Sequence, residues 1–479
     1  MTSNLDITDP QATPLFDSHR PLVLKGGHVG CALTRQDGVA DVLIENGLIA
    51  EVAPEIHVPG AVEVDVSNHW VLPGVIDSHC HLGSTFGSVW GARMSLRSGV
   101  TLGIDMAGPL EDIKAHAHLG GGYQVAVMTA LESEALDPYK SMEKSLNEGA
   151  WGMKNLGGHY PLSIERGFEL IDAGVRYGGA VAWHAGSTTA GSNILGMLEA
   201  ARVAQGMPLH MAHINAYCRG RVYDAKEEVA IALACLEQNP NLYSESYLCP
   251  GNATMLDTLP DGRLEDAVTA MCVEKFGFEP NAQGLEKAIA AGICTVFTVE
   301  GEQTEAVSPE EGVKAFLSQN PKGHKLLGSF PVNDPAIQRD LVTAKRPDRT
   351  FYVDAISTDG GCIPRNDLVT RGLTLVEAGY LTLQEFVLKS SLTPARHLRL
   401  LNRGHLSTNA IADITIVDKR NKKARATLVQ GQFNLFNGKV LGEGLTFVTT
   451  ERGDAHLRQA GFRTIVTDPS TPHPLRLSI

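Results

Sequence analysis

Two histidines one residue apart, His79 and His81, close the run Val71-Leu72-Pro73-Gly74-Val75-Ile76-Asp77-Ser78-His79-Cys80-His81. Side chains alternate between the faces of a strand, so both imidazoles point the same way and can meet at one ion. A Pro-Gly turn ahead of an apolar stretch with polar residues at its far end is how a parallel barrel presents a site at its C-terminal mouth. Two more runs end in histidine, Ala182-Trp183-His184 and His210-Met211-Ala212-His213. His210 lies three residues before His213, faces the opposite way on a strand, and is read as structural. Gly149-Ala150-Trp151-Gly152-Met153-Lys154 places an ammonium at the end of an apolar run, where burial is costly. Ala355-Ile356-Ser357-Thr358-Asp359-Gly360-Gly361 adds a carboxylate. Imidazole nitrogen with carboxylate oxygen is a donor set for a divalent cation, Zn2+ first, with Mn2+, Co2+ or Fe2+ open.

These residues need elements that bring them to one end of a common scaffold. From residue 74 onward apolar strands alternate with helical stretches, the pattern of βα units around a parallel sheet. Eight strand candidates follow: 74–79, 100–106, 123–131, 149–155, 180–185, 208–213, 241–247 and 351–359. Eight is the number at which an α/β sheet of this kind closes into a TIM barrel, (β/α)8. More than a hundred residues separate the last two, with helical patterns at 264–276 and 284–291 and a strand-like run at 294–299. A structureless loop of that length is implausible in a compact domain, so 250–350 is read as an insertion before strand 8 that caps the barrel mouth. Ahead of the barrel, short apolar runs at 22–25, 41–44 and 48–52 are punctuated by Gly26-Gly27 and by Asn46-Gly47, a hairpin signal. After it, helix candidates at 382–391 and from Thr393 give way to strand-like runs at 411–418 and 445–448.

The chain has 479 residues, 43% hydrophobic and 20% charged, with a formal net charge of −13. That acidic balance offers no basic footprint for nucleic acid. Eight cysteines are scattered without a Cys-x-x-Cys pair, which argues against a disulfide scaffold or a structural zinc knot. The N-terminal stretch is polar, and no run of apolar residues is long enough to span a bilayer, so no membrane partner and a cytoplasmic location are expected.

Pro73 through His81 resembles the first-strand motif of the amidohydrolase superfamily, whose members hydrolyse C–N and related bonds with one or two metal ions at the mouth of a (β/α)8 barrel. The resemblance implies a small β-sandwich built from both chain ends, 21–72 and 401–450, around a hydrolase barrel at 73–400, with tails at 1–20 and 451–479. It implies a metal set of His79, His81, Lys154, His184, His213 and Asp359. In this arrangement His79, His81 and Asp359 hold one of two divalent ions and His184 and His213 the other. Lys154, carbamylated by CO2, bridges them. Asp359 is the implied catalytic residue, taking a proton from the attacking water and passing it to the leaving nitrogen. Tyr160, in Gly157-Gly158-His159-Tyr160-Pro161, is the candidate oxyanion donor, with His159 behind it. Arg219 and Arg221 suit bidentate recognition of a substrate carboxylate.

The stretch from Gly149 to His184 is also similar to the N-acyl-D-amino-acid deacylase and isoaspartyl dipeptidase branch. The deacylases bridge their metals with a strand-two cysteine and lack the strand-four lysine, whereas strand two here reads Val100-Thr101-Leu102-Gly103-Ile104-Asp105-Met106. The expected function is therefore a metal-dependent amidohydrolase acting on the amide of a small carboxylated substrate, an N-acyl amino acid or dipeptide-like compound. The alternatives are a cyclic amide or ureide hydrolase of hydantoinase or dihydroorotase type, and a non-catalytic hydantoinase-like assembly protein. The family also implies a homo-oligomer.

Overall fold

Every residue of Val75–His81 and of Val100–Met106 is buried, as strands covered on both faces of a parallel sheet must be. The computed structural model describes residues 3–9, 20–319 and 326–470. In it these two strands begin a parallel series that continues through Tyr123–Leu131, Gly152–Leu156, Ala180–His184, Leu209–Met211 and Leu242–Tyr247. The eighth strand is split. Ala355–Ser357 pairs with the seventh, Glu245 facing Ala355, and Gly360–Gly361 pairs with the first, Gly361 facing His81. That double pairing closes the (β/α)8 barrel.

A second sheet draws on both ends of the chain. Leu22–Cys31, Gln36–Glu45, Leu48–Ala53, Val62–Asp65 and His69–Pro73 join Ile414–Asp418, Ala424–Val429 and Gln432–Phe436. The seam is His69–Pro73 running antiparallel to Ile414–Asp418, and a core of Val29, Val42, Ile49, Val71, Ile414 and Leu428 fills it. Asn46 and Gly47 turn the hairpin at φ 50° and 77°, the left-handed pair such a two-residue turn requires. Within the N-terminal tail, Ser3–Asp6 adds a strand beside Val62–Asp65.

One expectation is corrected at the C-terminal end. Leu445–Thr449, expected in the sandwich, pairs in parallel with the start of Tyr123–Leu131 in the barrel sheet. The reason is register. The fourth strand meets the third only from Met128 onward, which leaves the edge at Tyr123–Ala126 open, and five buried residues fill it. The tail then forms a helix, Glu451–Gln459, and a strand, Arg463–Val466, that pairs with Leu445–Thr449, so the tail is part of the barrel floor.

Between strands seven and eight, Asn252–Met255, Thr295–Glu300, Gln303–Ala306 and Leu327–Phe330 make a four-stranded antiparallel sheet packed with helices Ala267–Lys275, Ala282–Ala290 and Pro309–Gln319. It has its own core, including Leu256, Val273, Leu285, Ile289 and Phe330. Glu302, at its hairpin turn, pairs with Arg93 and Arg97 on the helix after the first barrel strand, both at 2.5 Å. Among the described residues no helix is long and apolar enough to cross a membrane.

Candidate metal centre

Strand period two puts Asp77, His79 and His81 on one face of the first strand. Asp77, deepest, accepts hydrogen bonds from the backbone N–H of Thr358 (3.0 Å) and from its hydroxyl, tying strand one to strand eight. Above it the His79 and His81 Nε2 atoms lie 3.3 and 2.9 Å from Asp359 Oδ1. Lys154, in the middle of strand four and 1% exposed, brings Nζ to 2.9 Å from His79 Nε2. His184, ending strand five, and His213, two residues past strand six, meet at 3.0 Å from Nδ1 to Nε2, and the His213 ring stacks on His79 with centroids 5.0 Å apart. Ligand atoms of His79, His213 and Asp359 all lie within 4.8 Å of one another. The six residues expected as ligands thus form one cluster at the C-terminal mouth of the barrel.

Two of them sit on unusual backbone. His213 and Asp359 hold φ at 64° and 51°, left-handed values that side-chain-bearing residues seldom adopt. Strain of this kind collects where surrounding contacts over-determine a functional geometry. Asp359 is held by its backbone N–H donating to His79 O at 2.8 Å. Arg365 donates to its carbonyl and pairs with its Oδ2, each at 2.5 Å.

The electrostatics suit a cation. Burial pushes all four imidazoles down, His213 to about 3 and His79 and His184 well below the ordinary histidine range, so they are neutral and offer lone pairs. Burial opposes ionisation of Asp359, but the Arg365 guanidinium and the hydrogen bond from His81 outweigh it and hold the carboxyl well below its usual range. Burial lowers Lys154 to about 8, against the pull of Asp359, Glu245 and Asp105. Buried His213 Nδ1 has no hydrogen-bond partner among the described residues. Neutral imidazoles, an ionised carboxylate and a lysine amine within reach of neutrality fit a divalent metal site.

The cluster forms the floor of a cavity of about 260 Å³ whose far wall, with Thr254, Asp266, Val268 and Met271, comes from the insertion. His159 and Tyr160 both line it. The His159 ring lies 5.6 Å from that of His184, with Nδ1 3.8 Å from Asp266, whereas Tyr160 is 48% exposed. Gly158 passes so close above the histidine cluster that a Cβ there would come within 2.3 Å of His184 Nε2. Arg219 and Arg221 are on the wall too. Arg219 donates to Asn333 (2.8 Å), Tyr247 (2.9 Å) and Asn252 (3.2 Å), all neutral acceptors, and Arg221 to the Ser192 carbonyl (3.3 Å). His210 is confined to the barrel core, its ring edge-on to Tyr243 at 4.8 Å.

Two residues that sequence reasoning missed belong to the site. Glu245, fully buried on strand seven, lies 2.7 Å from His79 Nδ1 and also accepts from the Ser357 hydroxyl. A lone acid inside the strand 241–247 was its one sequence signal. Arg365 has none, because it reaches Asp359 from the loop beyond strand eight.

No protein-family model matches the chain. It is 24% identical over 445 residues to a dihydroorotase of Ruminiclostridium cellulolyticum, covering 83% of this chain and 89% of that protein. It is likewise 24% identical to an allantoinase of Deinococcus radiodurans, covering 88% and 93%. Among solved structures, a D-aminoacylase superposes with a TM-score of 0.61 at 17% identity, covering 88% of this chain and 98% of that one. The dihydropyrimidinase of Brevibacillus agri does so with a TM-score of 0.59 at 15% identity, covering 89% and 98%.

Proposed function

The chain belongs to the amidohydrolase superfamily and is a hydrolase of carbon–nitrogen bonds, and from that premise we propose that it opens the ring of a small cyclic amide or ureide. The observation that carries the choice against a deacylase is Lys154, buried 2.9 Å from His79 Nε2, where a carbamylated lysine would bridge two ions as in the dipeptidase and hydantoinase types. The deacylase branch uses a strand-two cysteine instead, and no cysteine lies on Val100–Met106. Relatives matched along most of their length, a dihydroorotase and an allantoinase, support a ring over the linear N-acyl amino acid favoured by sequence reasoning.

In this reading His79, His81 and Asp359 would hold one ion and His184 and His213 the other, with Lys154 as the group that would join them. Bound there, divalent metal would supply a water acidic enough to be hydroxide near neutral pH. Zinc suits the donor set. Asp359 accepts the proton at its carboxylate and returns it to the ring nitrogen as the C–N bond breaks, so one group serves as base and then acid. Arg365 keeps that carboxylate ionised and aimed. His159 and Tyr160 line the cavity as donors to the developing oxyanion. Arg219, presented by neutral partners, and Arg221 would read a carboxylate carried outside the ring.

The test is hydrolysis of a panel by metal-reconstituted protein: hydantoins, dihydropyrimidines, dihydroorotate and allantoin against N-acyl D- and L-amino acids and β-aspartyl dipeptides. Turnover of one or more rings, with the linear compounds untouched, is expected. Turnover confined to the linear compounds would overturn the ring reading and restore the deacylase one.

A further inference from the structure

We infer that Glu245 is a positioning residue for the metal centre: it fixes which nitrogen of His79 faces the ion and strengthens that nitrogen as a ligand. The inference rests on the metal reading above. An imidazole can coordinate through Nε2 only if its proton sits on Nδ1, and a partner that accepts from Nδ1 both selects that tautomer and raises ligand basicity. The His79 Nε2 atom faces Lys154 and Asp359, at 2.9 and 3.3 Å, and its Nδ1 faces Glu245 Oε1 at 2.7 Å. Within the cluster His79 is the ligand so backed by a buried carboxylate.

Glu245 is itself over-determined. It is fully buried on strand seven, and its second oxygen accepts from Ser357 on strand eight, two residues before Asp359. His210 Nε2 lies 4.0 Å from its first oxygen, beyond hydrogen-bond range, which leaves that oxygen to His79. A burial cost of this size is unexplained by packing alone, since an apolar residue would fill a strand interior without it. The Glu245 carboxyl meets His79 Nδ1 with one oxygen and the Ser357 hydroxyl with the other. A cation on His79 Nε2 would make the Nδ1–H a stronger, charge-assisted donor to it. The same carboxylate also ties the first strand, which carries His79 and His81, to the eighth, which delivers Asp359.

The experiment compares wild type, Glu245→Gln and Glu245→Ala for Zn2+ affinity by chelator competition, together with the Nδ1–H proton resonance of His79 in zinc-loaded protein. Glu245→Gln keeps the shape and an acceptor oxygen while removing the charge, so it stands if Glu245→Ala fails to fold. Loss of such a backing partner typically weakens metal binding about 10- to 100-fold. The expected result is a loss in that range for Glu245→Ala, a smaller one for Glu245→Gln, and an upfield shift of the His79 proton in Glu245→Gln. Zinc affinity and proton shift both unchanged in folded Glu245→Gln would overturn the positioning role while leaving the metal reading intact. Wild-type protein that takes up no zinc would overturn the metal reading, and this role with it.

Discussion

At the scale of single residues, Asp359 combines three constraints: a left-handed backbone, a buried ion pair to Arg365, and Oδ1 between two imidazoles. Asp359→Asn preserves the shape and one oxygen for a metal but removes proton acceptance. Turnover should fall about 10²- to 10⁴-fold while most bound metal is retained, checked by metal analysis beside initial rates. Full activity in that variant would remove Asp359 from the chemistry. A different acid governs pH. Burial raises Asp105 to about 6, against hydrogen bonds from the backbone N–H groups of Leu82 and Gly108. Its folded pKa exceeds its unfolded one, so its contribution to stability is complete below pH ~4 and is lost as pH rises through about 6. The shift corresponds to at most about 3 kcal/mol. Asp105→Asn does not titrate, so whatever its own cost, its thermal midpoint should gain on wild type between about pH 4 and pH 7. A difference constant across that range would show that Asp105 stays ionised in the fold. The six clustered ligand candidates were legible because strand period and βα alternation, which are local patterns, put them at strand ends, and the resemblance of Pro73 through His81 to the amidohydrolase first-strand motif implied them as a set. Glu245 was only half legible, since a lone acid in a strand shows its role only when His79 is seen across the barrel. Arg365 was illegible, because nothing in residues 362–367 foretells which carboxylate a loop arginine will reach.

At the scale of elements, barrel closure depends on a strand broken in two. Ala355–Ser357 serves strand seven, Gly360–Gly361 serves strand one, and Asp359 lies between at the point where the chain turns toward the histidine cluster. Gly361 makes the second half possible. Its φ is +81°, and a Cβ there would lie 2.3 Å from the backbone oxygen of His81. Gly361→Ala should cost the 1–2 kcal/mol or so of a left-handed alanine plus whatever moves His81 aside. A lower melting midpoint together with weakened zinc binding is expected, and a midpoint within a degree of wild type would mean that the closure tolerates a side chain. Sequence patterning located all eight barrel strands but not this break, because Gly-Gly after an acid reads equally as a turn. It also misplaced Leu445–Thr449. An apolar strand announces that it will pair, whereas its partner, the open edge at Tyr123, is set by a register more than 300 residues away in the chain.

At the scale of the whole molecule, the barrel concentrates cost at one end and stability elsewhere. Its mouth buries Lys154, Glu245, Asp359, Arg365 and four histidines, groups whose desolvation an apolar core would avoid. The sandwich, the insertion and the barrel wall carry separate apolar cores that do not depend on the mouth. Metal bound by the folded barrel and not by the unfolded chain adds stability by mass action, about 4 kcal/mol at a free concentration a thousandfold above Kd. That energy enters at the mouth, where the strand ends from His81 to Asp359 would be tied through common ions. Chelation should therefore lower the thermal midpoint, and readdition of Zn2+ should restore it. Hydrogen exchange should quicken at the C-terminal ends of the barrel strands while Val42, Ile414 and Leu428 in the sandwich core keep their protection. Uniform loss of protection would mean that the metal holds the entire chain together. Complete removal of metal with no change in midpoint would show that the buried charges are balanced by the protein alone, and Lys154 would then be a structural ammonium and no bridge.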